Sequence, residues 1–243
     1  MQYFMDTTET IPGGVGFSLF GSLHLVWLGI FLAITAASII YYRKLSLNGR
    51  GIWKFTIAAL LAGDEIFKVV MLVIGGRYLP SYLPLHLCSI NIFLIIYHTI
   101  KPSRLVSGYL YTVGVPGAIA ALLFPSWTSL PLTNFMHLHS FTVHILLALY
   151  PITLAAAGEL GPEIKKIPQY LLLLVAMAAP IYVVNLILDT NFMFLMSADQ
   201  GNPLYLFEQL WGNHLYGFPV LITAVLLVMY VPLAIFRKIK TKK

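Results

Sequence analysis

Seven long apolar segments dominate the chain and restrict it to very few folds. A helix needs about 20 apolar residues to cross the hydrocarbon core of a bilayer. Backbone polar groups in lipid must be satisfied within the segment, so we expect each segment to be an α-helix. The segments lie at about 17–42, 52–74, 83–100, 105–124, 135–157, 167–188 and 215–236. The predicted fold is all-α, a seven-transmembrane-helix bundle in which residues 1–243 form a single integral membrane domain.

The composition excludes the main alternatives to a membrane protein. Of the 243 residues, 59% are hydrophobic and 10% are charged, whereas soluble proteins average roughly 25% charged residues. So few charges cannot cover the surface of a soluble enzyme, and a chain this apolar is not disordered. The single cysteine, Cys88, excludes an intrachain disulfide framework and a cysteine-rich metal site.

The basic residues predict how the bundle is oriented. Of the 15 Lys and Arg residues, 13 follow spans 1, 3, 5 and 7, which places them on one side of the membrane. They are Arg43, Lys44, Arg50, Lys54, Lys101, Arg104, Lys165, Lys166, Arg237, Lys238, Lys240, Lys242 and Lys243. The opposite side holds only Arg77, and Lys68 lies within the second span. Because basic loops stay inside, we expect the N-terminus outside and the C-terminus cytoplasmic.

This topology also explains the formal net charge of +6 without a nucleic-acid partner, because the basic side faces anionic lipid. The expected location is a cell membrane, crossed several times, and for a prokaryotic chain this is the bacterial cytoplasmic membrane. The oligomeric state is not predicted.

Polar side chains concentrate in the outer half of the predicted bundle. One group lies roughly 8–13 Å below the outer ends of the spans, at a helical rise of about 1.5 Å per residue: His24, Glu65, Lys68, Cys88, Asn91 and His144. A second group lies nearer the outer surface: His86, His137, His139, Asn185, Asp189 and His214. Of the seven histidines, only His98 lies near the inner end. Polar groups in a membrane are costly, so this sorting predicts a shared pocket that opens outward.

Structural roles stay open for part of this layer. Asp64 and Glu65 are spaced so that either could neutralise Lys68 on the same helix. Asn91 and Asn185 are equally suited to linking helices by hydrogen bonds.

The histidines have structural alternatives too. His24 and His214 fit the role of hydrogen-bonded packing residues. His137 and His144 share a helix face, whereas His139 points roughly 140° away from His144. We therefore expect at least one of His137 and His139 to meet water or lipid headgroups.

The longest predicted loop, 189–213, lies outside and is unusually aromatic. Its large apolar residues are Phe192, Phe194, Leu195, Tyr205, Phe207 and Trp211. Such a loop either folds back over the spans as a lid or lies in the membrane interface as an aromatic anchor. Both interpretations remain open.

A thiol and an imidazole at similar depth on different spans suggest nucleophilic chemistry. The Cys88 thiol needs a base or a positive neighbour to become a thiolate. The His144 imidazole can take its proton and return it to a leaving group. Lipid ester carbonyls lie near the boundary between headgroups and hydrocarbon, at the depth of these two residues. The depth of the layer therefore fits acyl transfer from, or hydrolysis of, a lipid ester, for which no cofactor is expected.

Three features of the sequence also resemble a known family. They are Leu83-Pro84-Leu85-His86-Leu87-Cys88, His144 in the fifth span, and Asn185 followed by Asn191-Phe192-Met193-Phe194-Leu195. They resemble the YwaF-like bacterial integral membrane proteins, a family similar to eukaryotic transmembrane protein 164, a cysteine-dependent acyltransferase that moves acyl chains between phospholipids. More remotely, both are similar to membrane-embedded fatty-acid-ester hydrolases that use a Thr/His pair.

The resemblance implies roles for some residues only. Cys88 matches the nucleophile and His144 the base. His86 and Asn191 match motif positions without an assigned role, and with Asn91 and Asn185 they are candidates for orienting the site or stabilising an oxyanion. His24, Glu65, Lys68, His139 and Asp189 are the remaining candidates for the polar pocket.

Two other functions stay open at this stage. His86, His137, His139, His144 and His214, with Asp189, offer enough ligands for a zinc-dependent membrane hydrolase, although no metal-ligand spacing motif is present. Alternatively, Glu65 and Lys68 could couple protons to transport or to ligand binding, although the chain lacks detectable inverted repeats.

Overall fold

The computed structural model describes residues 2–198 and 202–240, with side chains for 2–198, 202–231 and 233. These residues form helices and turns and contain no β-strand. The helices are α1 Ser22–Lys44, α2 Leu47–Ile74, α3 Leu87–Ile100, α4 Arg104–Tyr109, α5 Val115–Leu123, α6 Phe135–Ala156, α7 Ile167–Leu188, α8 Pro203–Trp211 and α9 Gly217–Lys240. A π-helical segment, Leu110–Gly114, joins α4 to α5.

Six helical segments within the described ranges are long and apolar enough to cross a membrane. They are Ser22–Lys44, Pro80–Ile100, Arg104–Leu123, Phe135–Ala156, Ile164–Leu188 and His214–Val231. The all-α, multi-pass prediction is therefore confirmed. The other predicted span, 52–74, lies in α2, which has 28 residues but carries Asp64, Glu65 and Lys68. The seven-span count and the orientation stay predictions, and Lys242 and Lys243 lie outside the described residues.

Helix α6 is the centre of the bundle. It contacts α1, α2, α3 and α5, and 67% of its most apolar stretch is buried, against 11% in α7. Its fully buried residues include Phe141, Ala148 and Tyr150. The side chain of Asn134 starts the helix by accepting hydrogen bonds from the first backbone N–H groups. A helix buried on most of its surface is held in a fixed place, which makes α6 a rigid support for side chains.

The π-helical segment joins the outer helices to this centre. It ends just before Pro116, which has no N–H and whose ring crowds the carbonyl one turn earlier, so the turn widens there. On one side, Gly108 of α4 lets the ring of Tyr170 from α7 pack against the backbone, because a Cβ at Gly108 would lie 2.0 Å from Tyr170 Cζ. On the other side, Tyr111 donates a hydrogen bond to a backbone carbonyl of α9.

The N-terminal segment ties the outer ends of three helices together. Asp6 pairs with Arg77 beyond α2. Tyr82, just before α3, donates a hydrogen bond to Glu9 (2.8 Å). Asn134, which caps α6, donates to the carbonyl of Asp6 (2.7 Å). These are the three helices that carry the polar residues of the candidate site.

Candidate active site

Cys88 lies in the first turn of a helix rather than inside a continuous span. The third predicted span begins at residue 83, but α3 begins at Leu87. Pro84 accounts for the difference, because the residue before a proline is disfavoured in the α conformation. The residues from Leu83 to His86 form turns and bends instead, and they deliver Cys88 at the start of α3.

This position surrounds the thiol with hydrogen-bond donors. The first backbone N–H of α3 that bonds a carbonyl is that of Ile90, which donates to His86 O (3.1 Å). The earlier N–H groups of the helix therefore have no carbonyl partner within it. A helix N-terminus favours a negative charge, whereas burial of the sulfur disfavours it, so the thiol needs a base to become a thiolate.

An ion pair on α2 lies close to the thiol. Lys68 Nζ and Glu65 Oε1 are 2.5 Å apart, and the side chains are only 8% and 12% exposed. Both act electrostatically on Cys88, and Lys68 also acts on His86. Of the two predicted neutralisers of Lys68, Glu65 is the one that pairs with it.

Asp64 turns instead toward α6. Its Oδ2 atom lies 2.8 Å from His139 Nδ1. His139 and His137 are both buried, so the expectation that at least one of them meets water or headgroups is wrong. His139 can be buried because α2 supplies a carboxylate, that of Asp64, on the face of α6 opposite to His144.

His144 is held in one tautomer by its own helix. Its Nδ1 donates to the carbonyl of Ser140, 2.6 Å away, so in the neutral ring Nε2 carries the lone pair. Within the described ranges no hydrogen bond reaches Nε2. His86, just before α3, acts electrostatically on this ring, as do His139 and Asp64. No hydrogen bond joins it to Cys88 in the described part of the chain.

Trp127 is a site residue that sequence reasoning missed. Its ring stacks on the His144 ring at a centroid distance of 5.2 Å and an angle of 12°. It is buried, and its Nε1–H has no hydrogen-bond partner among the described residues. No sequence signal marked it, because an isolated tryptophan just beyond a span is typical of an interfacial residue.

Asn91 follows Cys88 by three residues on the same face of α3. It is 2% exposed, and its Oδ1 has no partner in the described residues. Its amide faces the π-helical segment, where a Cβ at Gly114 would lie 3.7 Å from Nδ2. Asn91 is thus a buried polar group available to the site.

The outer loop folds back over the start of α3. Asn185 donates to Phe192 O (3.0 Å) and accepts from Phe192 N (2.8 Å). This pairing buries Phe192 completely and sets its ring edge-on to His86, with centroids 5.1 Å apart. Asn191 organises the next turn through Ser197. The first half of the loop therefore covers the motif, as the lid interpretation expects.

Other predicted site residues hold structural positions. Both ring nitrogens of His24 bond backbone groups, one of them Leu122 O (2.7 Å). His137 accepts from Trp27 Nε1–H and bonds the carbonyl of Leu130. Asp189 is exposed at the end of α7, in a left-handed conformation. Within the described residues, no contact joins any of these side chains to the start of α3.

The histidines of the zinc interpretation do not converge. His137 is engaged as described, and His214 bonds the carbonyl of Phe194 in the outer loop (3.0 Å). Across residues 2–198 and 202–240, no three His, Cys, Asp or Glu side chains are grouped so that they could hold a metal ion. The structure therefore gives the predicted His86, His137, His139, His144 and His214 set no common centre.

Fold and site together define a multi-pass, all-α membrane protein whose polar centre lies between α2, α3 and α6. A family model described as the TMEM164 family matches residues 19–230, so the chain belongs to the TMEM164 family. This confirms the predicted relation to transmembrane protein 164, while the narrower placement among YwaF-like bacterial proteins stays a prediction. No curated protein and no solved structure matches the chain.

Proposed function

We propose that the protein is a membrane-embedded lipid acyltransferase or lipid-ester hydrolase that works through an acyl-Cys88 intermediate. The observation that carries this proposal is the position of Cys88 in the first turn of α3, within electrostatic reach of Lys68. The free Nε2 of His144 in the same cluster supports it, and so does the resemblance to a cysteine-dependent acyltransferase.

The first half-reaction transfers the acyl group to the protein. His144 Nε2 takes the thiol proton, and the Cys88 sulfur attacks the ester carbonyl of a phospholipid. The carbon–sulfur bond forms, the bond from the carbonyl carbon to the glycerol oxygen breaks, and His144 returns its proton to the lysolipid alkoxide.

The second half-reaction releases the acyl group. The hydroxyl of a lysophospholipid, or of water, attacks the thioester carbonyl while His144 accepts its proton. The carbon–sulfur bond breaks, and the departing Cys88 thiolate takes the proton back. A lipid acceptor makes the protein a transferase, and water makes it a hydrolase.

The developing oxyanion needs fixed hydrogen-bond donors. The unpaired backbone N–H groups at the start of α3 are the best placed, with Asn91 and His86 beside them. Asn185 and Asn191 act differently in this proposal. Their amides hold the outer loop over His86, so they orient the site without touching the substrate.

The proposal includes a seventh span and an orientation. We infer that α2 also crosses the membrane, because Glu65 and Lys68 form an ion pair and Asp64 Oδ2 lies 2.8 Å from His139 Nδ1, which lowers their cost in lipid. The N-terminus then lies outside and the C-terminus in the cytoplasm of a cell membrane, and the site opens toward the outer leaflet, where phospholipid and lysophospholipid esters reach it.

Lipid acyl exchange in membranes tests the proposal. Vesicles with wild-type protein should move a labelled acyl chain from phospholipid to lysophospholipid, or release it as fatty acid. Cys88→Ala and His144→Gln should each lose this activity. His98→Gln is the matched control, because His98 is also buried but bonds Tyr150 and Ser107 at the other end of α3.

Exchange that persists in both Cys88→Ala and His144→Gln would overturn the mechanism. Solute flux into liposomes that depends on Glu65 but not on Cys88 would favour the transporter alternative instead.

A further inference from the structure

We propose that Trp127 binds the substrate, donating its indole N–H to an oxygen of the carboxylic ester held beside His144. This inference rests on the proposed function and assigns a specific contact to it. It starts from an unsatisfied donor. Trp127 is 6% exposed, yet its Nε1–H has no partner among the described residues. Burying an N–H without an acceptor costs free energy, so the fold is expected to use it.

A second tryptophan, Trp27, shows that the fold provides a hydrogen-bond acceptor for an indole N–H whose role is structural. Trp27 Nε1–H donates to His137 Nε2 at 2.9 Å, and its ring is stacked on Phe141 at 4.7 Å. Trp127 packs against the same Phe141, edge to face at 5.2 Å, but its donor is left over. Packing therefore explains why the Trp127 ring is buried, but it does not explain why the indole N–H is left without an acceptor.

The indole is held rigidly next to the proposed base. Its ring is stacked on His144 at 5.2 Å, so a substrate that reaches the free Nε2 of His144 lies alongside the indole. The backbone around Trp127 is fixed as well. Thr128 O accepts from Phe17 N (2.8 Å), and a Cβ at Gly16 would lie 2.0 Å from Thr128 O. A donor fixed before the substrate arrives is the arrangement that stabilises developing negative charge.

The chemistry of the missing partner follows from this setting. It must be an acceptor, because indole only donates, and it must enter an apolar, buried place beside a base. The oxygen of a lipid carboxylic ester meets both conditions, and the apolar faces of the rings suit the acyl chain that is attached to it.

The test removes the indole N–H donor of Trp127 and keeps an aromatic ring in its place. Trp127→Phe preserves an aromatic ring against His144 but removes the N–H. Trp53→Phe is the matched control, because Trp53 is stacked in the same way on Tyr150 (6.0 Å, 19°) away from the site. We expect Trp127→Phe to slow acyl-Cys88 formation by about 100- to 1,000-fold, as the loss of one oxyanion donor does, and Trp53→Phe to stay within about twofold of wild type.

A binding measurement separates this contact from packing. In a Cys88→Ala background, which binds lipid without turnover, the diacyl phospholipid should displace a fluorescent lipid better than its dialkyl ether analogue, which has no carbonyl. Trp127→Phe should reduce this preference and Trp53→Phe should keep it. Equal binding of the two lipids by the Cys88→Ala protein would overturn the contact even where Trp127→Phe fails to fold.

The inference is overturned if Trp127→Phe forms acyl-Cys88 as fast as Trp53→Phe, or if ester and ether lipids bind equally well. The first result would leave the proposed function standing. A wild-type protein that never forms acyl-Cys88 would overturn the proposed function itself, and the ester preference would then show whether Trp127 still binds an ester.

Discussion

Buried histidines in this chain differ in how many of their ring nitrogens form hydrogen bonds. His24, His98 and His137 each have both nitrogens hydrogen-bonded. His144 has only Nδ1 bonded, to a carbonyl of its own helix. A ring that is fixed at one nitrogen and free at the other is prepared to accept a proton at the free one. This difference separates His144 from His24, His98 and His137 at the residue scale. Among the described residues, His214 is also hydrogen-bonded at one nitrogen only, but its partner is the carbonyl of Phe194 in the outer loop.

The buried Glu65–Lys68 pair gives a residue-scale prediction. Glu65→Gln should lower the free energy of unfolding by about 3–5 kcal/mol, because it leaves the Lys68 charge buried without its partner. The double variant Glu65→Gln/Lys68→Met should recover most of that loss, because it removes both charges. Unfolding by denaturant in detergent micelles measures both. Equal losses in the single and the double variant would show that the pair is not coupled.

Residue types predicted part of the site, and spatial contacts supplied the rest. Cys88, His144, Lys68 and Asn91 could be proposed from depth alone, because polar groups in a membrane are rare. The stacking of Trp127 on His144 could not be predicted, since nothing in the sequence around Trp127 indicates a contact with α6. Such contacts join residues far apart in the chain, and helical spacing carries no information about them.

At the scale of elements, the start of α3 is where sequence and structure differ most usefully. The apolar run from Leu83 predicts a continuous span, whereas the helix begins only at Leu87. Pro84 signals a helix start, but hydropathy averages over it. The shift turns Cys88 from a mid-span residue into a residue at a helix N-terminus, which changes the chemistry expected of its thiol.

The outer loop gives an element-scale prediction. Asn185 holds the loop through two hydrogen bonds to the Phe192 backbone and one from Thr190. Asn185→Ala should destabilise the protein by about 2 kcal/mol, because it leaves the buried N–H of Phe192 without a partner and removes the stronger of two hydrogen bonds to its carbonyl. It should also speed proteolysis within the loop. Asn202→Ala is the control, because that side chain caps only α8. Equal proteolysis of the two variants would contradict the lid interpretation.

On the predicted cytoplasmic side, Glu159 gives a prediction about pH. Its carboxylate accepts hydrogen bonds from Tyr42 of α1 (2.9 Å) and from Arg50 and Lys54 of α2 (3.0 and 3.1 Å). Partial burial alone would raise the pKa of Glu159. The hydrogen bonds from Lys54 and Tyr42 outweigh burial and hold this pKa below its ordinary value of 4.5.

Because the folded-state pKa of Glu159 is lowered, its contribution to stability is complete above about pH 4.5 and is lost as the pH falls through the lowered pKa. Glu159→Gln should lower the free energy of unfolding by about 1 kcal/mol at neutral pH. It should not change this free energy at acid pH, where Glu159 is protonated in the wild type. Thermal unfolding measured against pH checks this. A constant difference between variant and wild type at every pH would exclude titration of Glu159 as the cause.

For the whole molecule, the arrangement places a polar centre inside an apolar bundle. Large residues such as Leu32, Leu172 and Val228 face outward, with 65%, 68% and 71% of their surface exposed, as expected for a surface in contact with lipid. Glu65 and Lys68 of α2 face inward instead and form an ion pair. The all-α class could be predicted from apolar segment lengths alone, whereas the central position of α6 could not, because its apolar pattern resembles that of its neighbours.

Topology mapping tests the predicted orientation and the crossing of α2. In a Cys88→Ala background, single cysteines at Thr8, Asn48 and Leu79 are exposed to an impermeant maleimide in intact cells. Thr8→Cys and Leu79→Cys should react from outside, and Asn48→Cys should react only after permeabilisation. If Asn48→Cys and Leu79→Cys react alike, α2 does not cross the membrane.

The most direct test of the central claim is the mass of the intact protein after brief incubation with phospholipid carrying a labelled acyl chain. Cys88 is the only cysteine in the chain, so a thioester can form at one place only. The predicted result is an adduct of the mass of one acyl group that hydroxylamine removes and that Cys88→Ala does not form. An unmodified Cys88 during active acyl transfer would contradict the account.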